Sequence, residues 1–454
     1  MNSMSHSTRR SFLKSATALT GGLFAPNLLF AKNASAALNV AAIGCSGKGG
    51  SDISEIAPGN RIAFLCDVDR KMAKGAMGKF PDARYFQDYR EMFAEVADQI
   101  DVVTVSTPDH MHFPIAVEAI RHGKPVMVQK PLCNNLWETR ALADYAKQKG
   151  VLTVMGNQGA TMQGTRILRE WIEAGVIGDV TEVHYWTNRP IWPQGPGIQL
   201  PVAAVPDTLD WDVWQGTCAT ERPYSPAIHP FKWRGFWDYG CGALGDIGCH
   251  SMNSAFWALD LQGDFVVEAS KVTPFDETMA PKRSTIVYDF PAKGQRGPVK
   301  VIWQDGVANP NTDKDFVRPP GLPADLELNP GFGQVFIGTK GIIFFNDAYC
   351  STSPRLFPES LMEKARTTPK VYARVKGGPT QELCSAIRGE GPKPVSNFVD
   401  HAGPLTEMVL AGNLAVRLGK RIDWDMKNMD ARGLPEVKAM LKRPYRAGWE
   451  PKLA

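Results

Sequence analysis

From residue 38 onward the chain alternates short apolar runs with longer stretches whose apolar residues recur three and four positions apart. The runs occupy 38–43, 62–66, 102–106, 126–128 and 152–155, and 137–149 typifies the helical pattern between them. Runs of that length separated by helices predict parallel β-α units, and so a doubly wound α/β sheet. The alternation stops after Asn157-Gln158. Beyond it the pattern predicts a helix over 165–174, a strand over 180–187 and a late helix over 400–418 that packs back across the molecule. Two Pro- and Gly-rich stretches, 190–206 and 306–330, are longer than ordinary connections and are expected to be loops over a pocket or arms of an oligomer.

The first 36 residues stand outside this pattern. Thr8-Arg9-Arg10-Ser11-Phe12-Leu13-Lys14 sets two adjacent arginines ahead of a moderately apolar stretch, and Ala34-Ser35-Ala36 is a small-residue cleavage site. The segment 1–36 reads as a twin-arginine signal, so the mature protein is expected in the periplasm or otherwise exported. Gly21, Gly22, Pro26 and Asn27 interrupt the apolar stretch, which is shorter than the ~20 residues a bilayer span needs. No later run is long and apolar enough to span, and the mature chain is expected to be soluble.

Removing this segment takes away Arg9, Arg10, Lys14 and Lys32 and no acidic residue, so the formal net charge falls from +4 to zero. A neutral chain gives no electrostatic reason to expect nucleic acid or an anionic membrane as partner. The 418 residues that remain suffice for two domains, here 37–157 and 158–454. Eight cysteines would suit a disulfide framework after export, but Cys45, Cys66, Cys133 and Cys249 fall at strand ends and turns where small buried thiols are expected. Pairing among Cys218, Cys241, Cys350 and Cys384 stays open, and no Cys/His grouping has zinc spacing, so no metal is expected.

After the first strand comes Gly44-Cys45-Ser46-Gly47-Lys48-Gly49-Gly50. A dinucleotide-binding turn wants one glycine for the tight turn, one for close approach of the backbone to pyrophosphate and one for helix packing. Gly44 and Gly49 fill the first and last places, Ser46 stands at the middle one, and Gly47 beside it keeps the backbone accessible. Asp67 ends the second strand 18 residues beyond Gly49, near the spacing of an acid that holds the adenine ribose hydroxyls. A carboxylate there repels a 2′-phosphate, which favours NAD over NADP, while Arg70 leaves NADP as the alternative.

Three further motifs lie downstream: Thr107-Pro108-Asp109-His110-Met111-His112, Val128-Gln129-Lys130-Pro131, and Gly242-Ala243-Leu244-Gly245-Asp246-Ile247-Gly248-Cys249-His250. With the glycine loop they resemble, in order and spacing over nearly the whole mature chain, the glucose-fructose oxidoreductase, inositol dehydrogenase and rhizopine catabolism (Gfo/Idh/MocA) family. The resemblance implies an N-terminal Rossmann domain followed by an α+β domain with an open, mainly antiparallel sheet. One face of that sheet is turned to the active site and the other is available for contacts in a homo-oligomer, a dimer or tetramer. By the same resemblance Lys130 matches the lysine of a Glu-Lys-Pro tripeptide, with Gln129 replacing the acid and keeping hydrogen-bonding capacity. A lysine beside a nicotinamide and a sugar hydroxyl steadies the alkoxide that develops as hydride leaves carbon. His250 is then the general acid/base, and Asp246, four residues earlier on the same helix face, orients it or contacts substrate. The resemblance also lays Thr107, Pro108 and His110 against the cofactor, while His112 caps or packs. Asn157 and Gln158 are candidates to reach cofactor or substrate.

Trp186, Trp192, Trp211, Trp214, Trp233 and Trp237 are six of the twelve tryptophans, with Tyr185, Tyr224, His229, Lys232, Arg234 and Tyr239 in the same region. Core packing accounts for some of these. As a group they suit the C–H faces and hydroxyl rims of a carbohydrate, with Trp233, Arg234 and Tyr239 as candidate substrate contacts. The expected activity is a nicotinamide-dependent oxidoreductase acting on a hydroxyl-bearing carbon of a sugar, cyclitol or glycoside. Free NAD is scarce outside the cytoplasm, so the cofactor is expected to be tightly bound and recycled internally. An NAD-dependent glycoside hydrolase that oxidises, eliminates and re-reduces is the alternative. A non-catalytic sugar-binding protein is a second one, against which retention of Lys130, Asp246 and His250 counts.

Overall fold

A computed structural model describes residues 37–453 of the protein. The twin-arginine segment and its cleavage site lie outside them.

Six short strands, β1 (Asn39–Ile43), β2 (Arg61–Cys66), β3 (Arg84–Phe86), β4 (Val102–Val105), β5 (Val126–Val128) and β6 (Thr153–Met155), form one parallel sheet in the order 3-2-1-4-5-6. Helices α1 (Lys48–Ile56), α2 (Arg70–Lys79), α3 (Tyr89–Val96), α4 (His112–Arg121) and α5 (Leu136–Lys149) cross between them. A sheet covered on both faces needs strands apolar throughout rather than alternating, and β1, β4, β5 and β6 are buried almost end to end. Val40 and Ala42 join a core with Ile53 and Ile56 of α1, while Ala41 and Ile43 join Phe93 of α3, Phe113 of α4 and Leu142 of α5 on the opposite face. The sequence pattern had no place for β3. It is a three-residue edge strand whose Arg84 is exposed, too short and too polar to show as an apolar run.

After α6 (Gln163–Glu173) and β7 (Val180–Thr187), the chain makes a long excursion whose regular pieces are the short helix α7 (Trp211–Gln215) and a 3-10 turn over Lys232–Gly235, then forms α8 (Gly242–Ser251) and α9 (Asn253–Ala258). Strands β8 (Phe265–Ser270), β9 (Thr285–Phe290), β10 (Val299–Gln304), β11 (Phe332–Gly338), β12 (Ile342–Phe345) and β13 (Arg355–Phe357) come next. Helices α10 (Met362–Arg366), α11 (Pro379–Ile387) and α12 (Gly403–Leu418) precede β14 (Ile422–Asp425) and β15 (Asp430–Ala431). The second sheet is open, nine-stranded and ordered 13-12-11-7-10-9-8-14-15, with β7 and β10 parallel and every other pair antiparallel. Tyr185, Tyr288, Trp303 and Phe336 turn one face of it into the main core. The segment 306–330 does not reach a pocket: Val307, Phe316 and Leu328 anchor it to Trp186, Val335 and Phe344 on the other face.

Helix α12 holds the two sheets together. It packs on α5 of the first unit and on α8 and β8 of the second, and 13 of its 16 residues are buried. Glu407 on this helix pairs with Arg140 of α5 and accepts from the Trp424 indole N–H of β14 at 3.0 Å. Such all-round burial makes the helix sensitive to lost volume. Leu405→Ala should lower the unfolding free energy by about 2–5 kcal/mol in denaturant titrations, since Leu405 is fully buried in the core shared by both sheets.

Candidate active site

A cleft of about 540 Å³ lies between the carboxyl ends of the parallel strands and the second unit. In a doubly wound sheet this is where ligands bind, beside the point at which strand order reverses, here between β1 and β4.

The glycine loop forms one wall. Gly44 has φ +86°, and a Cβ on it would lie 2.4 Å from the Ser106 carbonyl oxygen; a Cβ on Gly49 would lie 2.1 Å from the Gly44 oxygen. The first and last glycines are therefore required by close packing of β1, α1 and β4. Ser46 and Gly47 line the cleft. The first turn of α1 has no side-chain cap, so its N–H groups remain available to an anion such as pyrophosphate. Asp67 lines the cleft and buttresses the same loop: its carboxylate accepts the Cys45 N–H at 2.8 Å and the Asp69 N–H at 3.0 Å. Burial pushes its carboxyl up to about 6, against those two bonds.

Beneath the loop, the buried Asp52 of α1 accepts from the Ser106 hydroxyl at 2.7 Å and the Gln129 amide at 2.8 Å, and pairs with Lys48. Burial raises the Asp52 carboxyl and Lys48 opposes the rise. This is the physical reason for an amide at 129: a glutamate would face another carboxylate where Gln129 donates a hydrogen bond.

Next along the chain, the Lys130 ammonium donates to the Asp246 carbonyl at 2.7 Å and to the Asp246 carboxylate at 2.9 Å. Arg234 donates through Nε to the same carboxylate oxygen at 3.2 Å. Burial disfavours the charge on Asp246, but Lys130 and Arg234 outweigh it and hold the carboxyl at about 2. His250 lies one turn further on α8 and is 5% exposed. Its orienting partner is Asn157 rather than Asp246. Asn157 donates its amide N–H to the Cys249 carbonyl at 2.7 Å, and that bond turns its own Oδ1 to His250 Nδ1 at 3.3 Å. That arrangement assigns the proton to Nδ1 and leaves Nε2 as acceptor. Burial, reinforced by Lys130, drives the imidazole well below its ordinary range, so the ring is a neutral base. A cation and a neutral base in one cleft can steady an alcohol oxygen and take its proton.

Thr107, Pro108, Gln158, Trp233 and Arg234 also line the cleft. Four sequence candidates do not: Gly49 packs against Gly44 rather than lining the cleft, and the other three lie deeper. His110 is fully buried, packed between Trp214 and Tyr239 with Nε2 on the Trp214 carbonyl at 2.9 Å, because the turn over 109–111 sends Asp109 and Met111 to the cleft instead. Tyr239 is fully buried in that same aromatic cluster, and Asn157 sits behind His250. The six tryptophans divide likewise: Trp192, Trp214 and Trp233 line the cleft, whereas Trp186 belongs to the sheet core. All eight cysteines are free and buried, so the pairing left open for Cys218, Cys241, Cys350 and Cys384 is not made. Among the described residues no group of three or more His, Cys, Asp or Glu is placed to hold a metal, and no helix is long and apolar enough to cross a membrane.

Sequence reasoning gave no role to Asp109 or Tyr349 and placed His229 only within the aromatic-rich region. Asp109 is buried beside Lys130 and Arg234, and burial lifts its carboxyl to about 7. Tyr349 meets the His250 ring edge-on at 4.8 Å. His229 reaches Asp69 at 3.1 Å, and the backbone bonds Arg70 N–H to Thr208 O and Asp210 N–H to Val68 O stitch the excursion between β7 and α8 across the end of β2. Asp109 lies within the Thr107–His112 motif and His229 within the aromatic-rich region, but tertiary contacts decide their places, and no local pattern marks Tyr349. The unpartnered Thr107 hydroxyl, Gln158 carbonyl and His229 Nδ1 leave the cleft with polar atoms for a ligand to satisfy, which, with the glycine cradle, fits a dinucleotide.

Comparison with known proteins agrees with this geometry. Residues 38–157 match the Gfo/Idh/MocA oxidoreductase family's NAD-binding Rossmann fold, and residues 174–289 match its C-terminal alpha/beta domain, together just over half of the chain. The levoglucosan dehydrogenase of Pseudarthrobacter phenanthrenivorans is 25% identical over 219 residues, covering 48% of this chain and 46% of that protein. The inositol 2-dehydrogenase of Burkholderia multivorans is 30% identical over 152 residues, covering 32% and 44%. The chain thus spans less than half the length of these curated relatives. In fold it is similar to the aldose-aldose oxidoreductase from Caulobacter crescentus complexed with glycerol (TM-score 0.57, 18% identity, 85% of this chain and 99% of that one). It is similar too to the WlbA dehydrogenase from Bordetella pertussis in complex with NADH and UDP-GlcNAcA (TM-score 0.56, 15% identity, 85% and 98%).

The amide at 129 can be tested directly. Gln129→Glu would set two buried carboxyls face to face, both raised above their unfolded values. Stability is then retained below the unfolded carboxylate range and lost as pH rises through the raised folded values. Denaturant titrations should show the variant near wild type at pH 4 and about 1–3 kcal/mol less stable at pH 8; an equal deficit at both would contradict the contact with Asp52.

Proposed function

We propose, from the premise that this chain belongs to the Gfo/Idh/MocA oxidoreductase family, that it is an exported nicotinamide-dependent oxidoreductase of a sugar, cyclitol or glycoside. The observation that carries this reading is the convergence of Lys130, Asp246 and a neutral His250 in the cleft beside the glycine loop. When bound, the nicotinamide supplies the hydride acceptor. The chain's own residues handle the alcohol. His250 Nε2 accepts the hydroxyl proton, Asn157 keeps that nitrogen unprotonated and aimed, and Lys130 donates to the oxygen as it gains charge. Asp246 fixes the Lys130 ammonium between its carbonyl and its carboxylate. In the reverse direction His250 returns the proton.

NAD is the preferred cofactor. Asp67 sets a carboxylate at the end of β2 that lines the cleft, whereas Arg70 lies over the Tyr85 ring at 5.1 Å and does not line it. The residues that would hold the dinucleotide are the loop 44–49, Asp67, Thr107 and Pro108. Tight retention is supported by the excursion from the second unit, whose Trp192, Trp233 and His229 face the glycine loop across the cleft and whose Leu209 bridges Asp69. Together with the twin-arginine segment, this favours export of a folded protein that already carries its cofactor and recycles it by oxidising one carbohydrate and reducing another.

Protein purified from the periplasm and denatured should release about one nicotinamide dinucleotide per chain, identified by absorbance and mass. Protein that is empty, and that neither binds NAD nor reacts with aldoses, would overturn the reading. Lys130→Met should keep the dinucleotide while lowering kcat by about 10²-fold or more; undiminished turnover would remove Lys130 from the mechanism.

A further inference from the structure

Only a few large apolar side chains among the described residues are strongly exposed, and two of them, Ile191 at 61% and Phe231 at 44%, line the cleft. Phe231 does not stand alone. The Trp192 ring meets it edge-on at 6.1 Å and is itself anchored by a 2.7 Å bond from its indole N–H to Gln194. The Arg234 guanidinium lies 4.5 Å from the Phe231 ring centre and 4.4 Å from that of Trp233, and donates to the Phe231 carbonyl at 3.0 Å. The same Arg234 contacts Asp246. One guanidinium therefore separates the exposed aromatic face from the proposed reaction centre.

An exposed ring fixed at that place has a use. Carbohydrate rings present C–H faces that stack on aromatics and hydroxyl rims that take hydrogen bonds from a guanidinium. We propose that Phe231, with Ile191 and Trp192, forms a subsite for the part of the substrate beyond the reacting ring. The substrate class is then a glycoside or oligosaccharide rather than a free monosaccharide. Its reacting ring lies at Lys130, Asp246 and His250, and its aglycone or second sugar stacks on Phe231. The inference rests on the oxidoreductase reading and narrows it. In the reaction a carbinol carbon loses hydride to bound NAD and its hydroxyl proton passes to His250, so C–OH becomes C=O with the glycosidic bond intact. A second copy of the chain fits this rim less well: three side chains are far smaller than the roughly 800 Å² per partner that a stable interface buries.

Full-length mature protein carrying its nicotinamide should be mixed with paired free hexoses and their phenyl glycosides in the gluco, galacto and manno series, following reduction of the bound cofactor. Wild type should favour the glycoside of the reactive series by at least about tenfold in kcat/KM, and Phe231→Ala should shrink that preference about tenfold, with Phe231→Tyr restoring it. A preference unchanged in Phe231→Ala overturns the subsite. So does a smaller assembly of that variant by light scattering, which would make the rim a subunit contact. If wild type turns over neither class, the oxidoreductase reading falls by itself, and tryptophan fluorescence then decides the subsite. Saturable quenching by a phenyl glycoside, weakened in Phe231→Ala, supports it; no quenching overturns it.

Discussion

The largely enclosed carboxylate of Asp246 is the point on which the candidate site depends. A charge so largely enclosed at the wall of the cleft persists only if it is paired and hydrogen-bonded, and its partners come from two directions: Lys130 from the end of the parallel sheet and Arg234 from the excursion of the second unit. Satisfying one carboxylate thus fixes the lysine, the helix α8 and the aromatic wall relative to one another. His250 is placed by its position one turn along α8, and its neutrality results first from burial and then from the Lys130 cation that Asp246 holds nearby. Packing of α12 against both sheets supplies the rigidity this arrangement requires.

Much of the first unit was legible because a parallel sheet imposes strong local rules. Continuous apolar strands, a glycine-rich turn after the first and an acid after the second all lie within about thirty residues, where sequence spacing still maps onto space. The edge strand β3 escaped because its three residues include an exposed arginine. Lys130, Asp246 and His250 were identifiable by motif, and the structure brings them to one cleft. The finer assignments were not readable. His110 and Asp109 are neighbours in a short turn, and which of them faces the cleft is decided by the aromatic cluster of Trp214 and Tyr239, more than a hundred positions away. Asn157 looked like a ligand contact but serves His250 from behind, across 93 positions.

The tryptophan-rich region shows the same limit. Composition pointed to a carbohydrate site, yet burial divides the rings between core and cleft, and one of the most telling aromatic side chains is a phenylalanine that composition did not single out. Residues 306–330 resembled the loop at 190–206 in their Pro and Gly content but cover the far face of the second sheet, because Phe316 and Leu328 find Trp186 there. Loops of similar composition acquire different roles from a few apolar anchors.

The contact between Gln129 and Asp52 couples two distant positions. Two acids cannot occupy these positions together without one being forced neutral in the interior, so position 52 constrains position 129 across 77 residues of chain. A glutamate at 129 is therefore expected to be tolerated best in this chain if Asp52 is changed with it. The two positions form one unit in this chain, and grafting an acidic tripeptide into it without its distant partner would carry half of a paired trait.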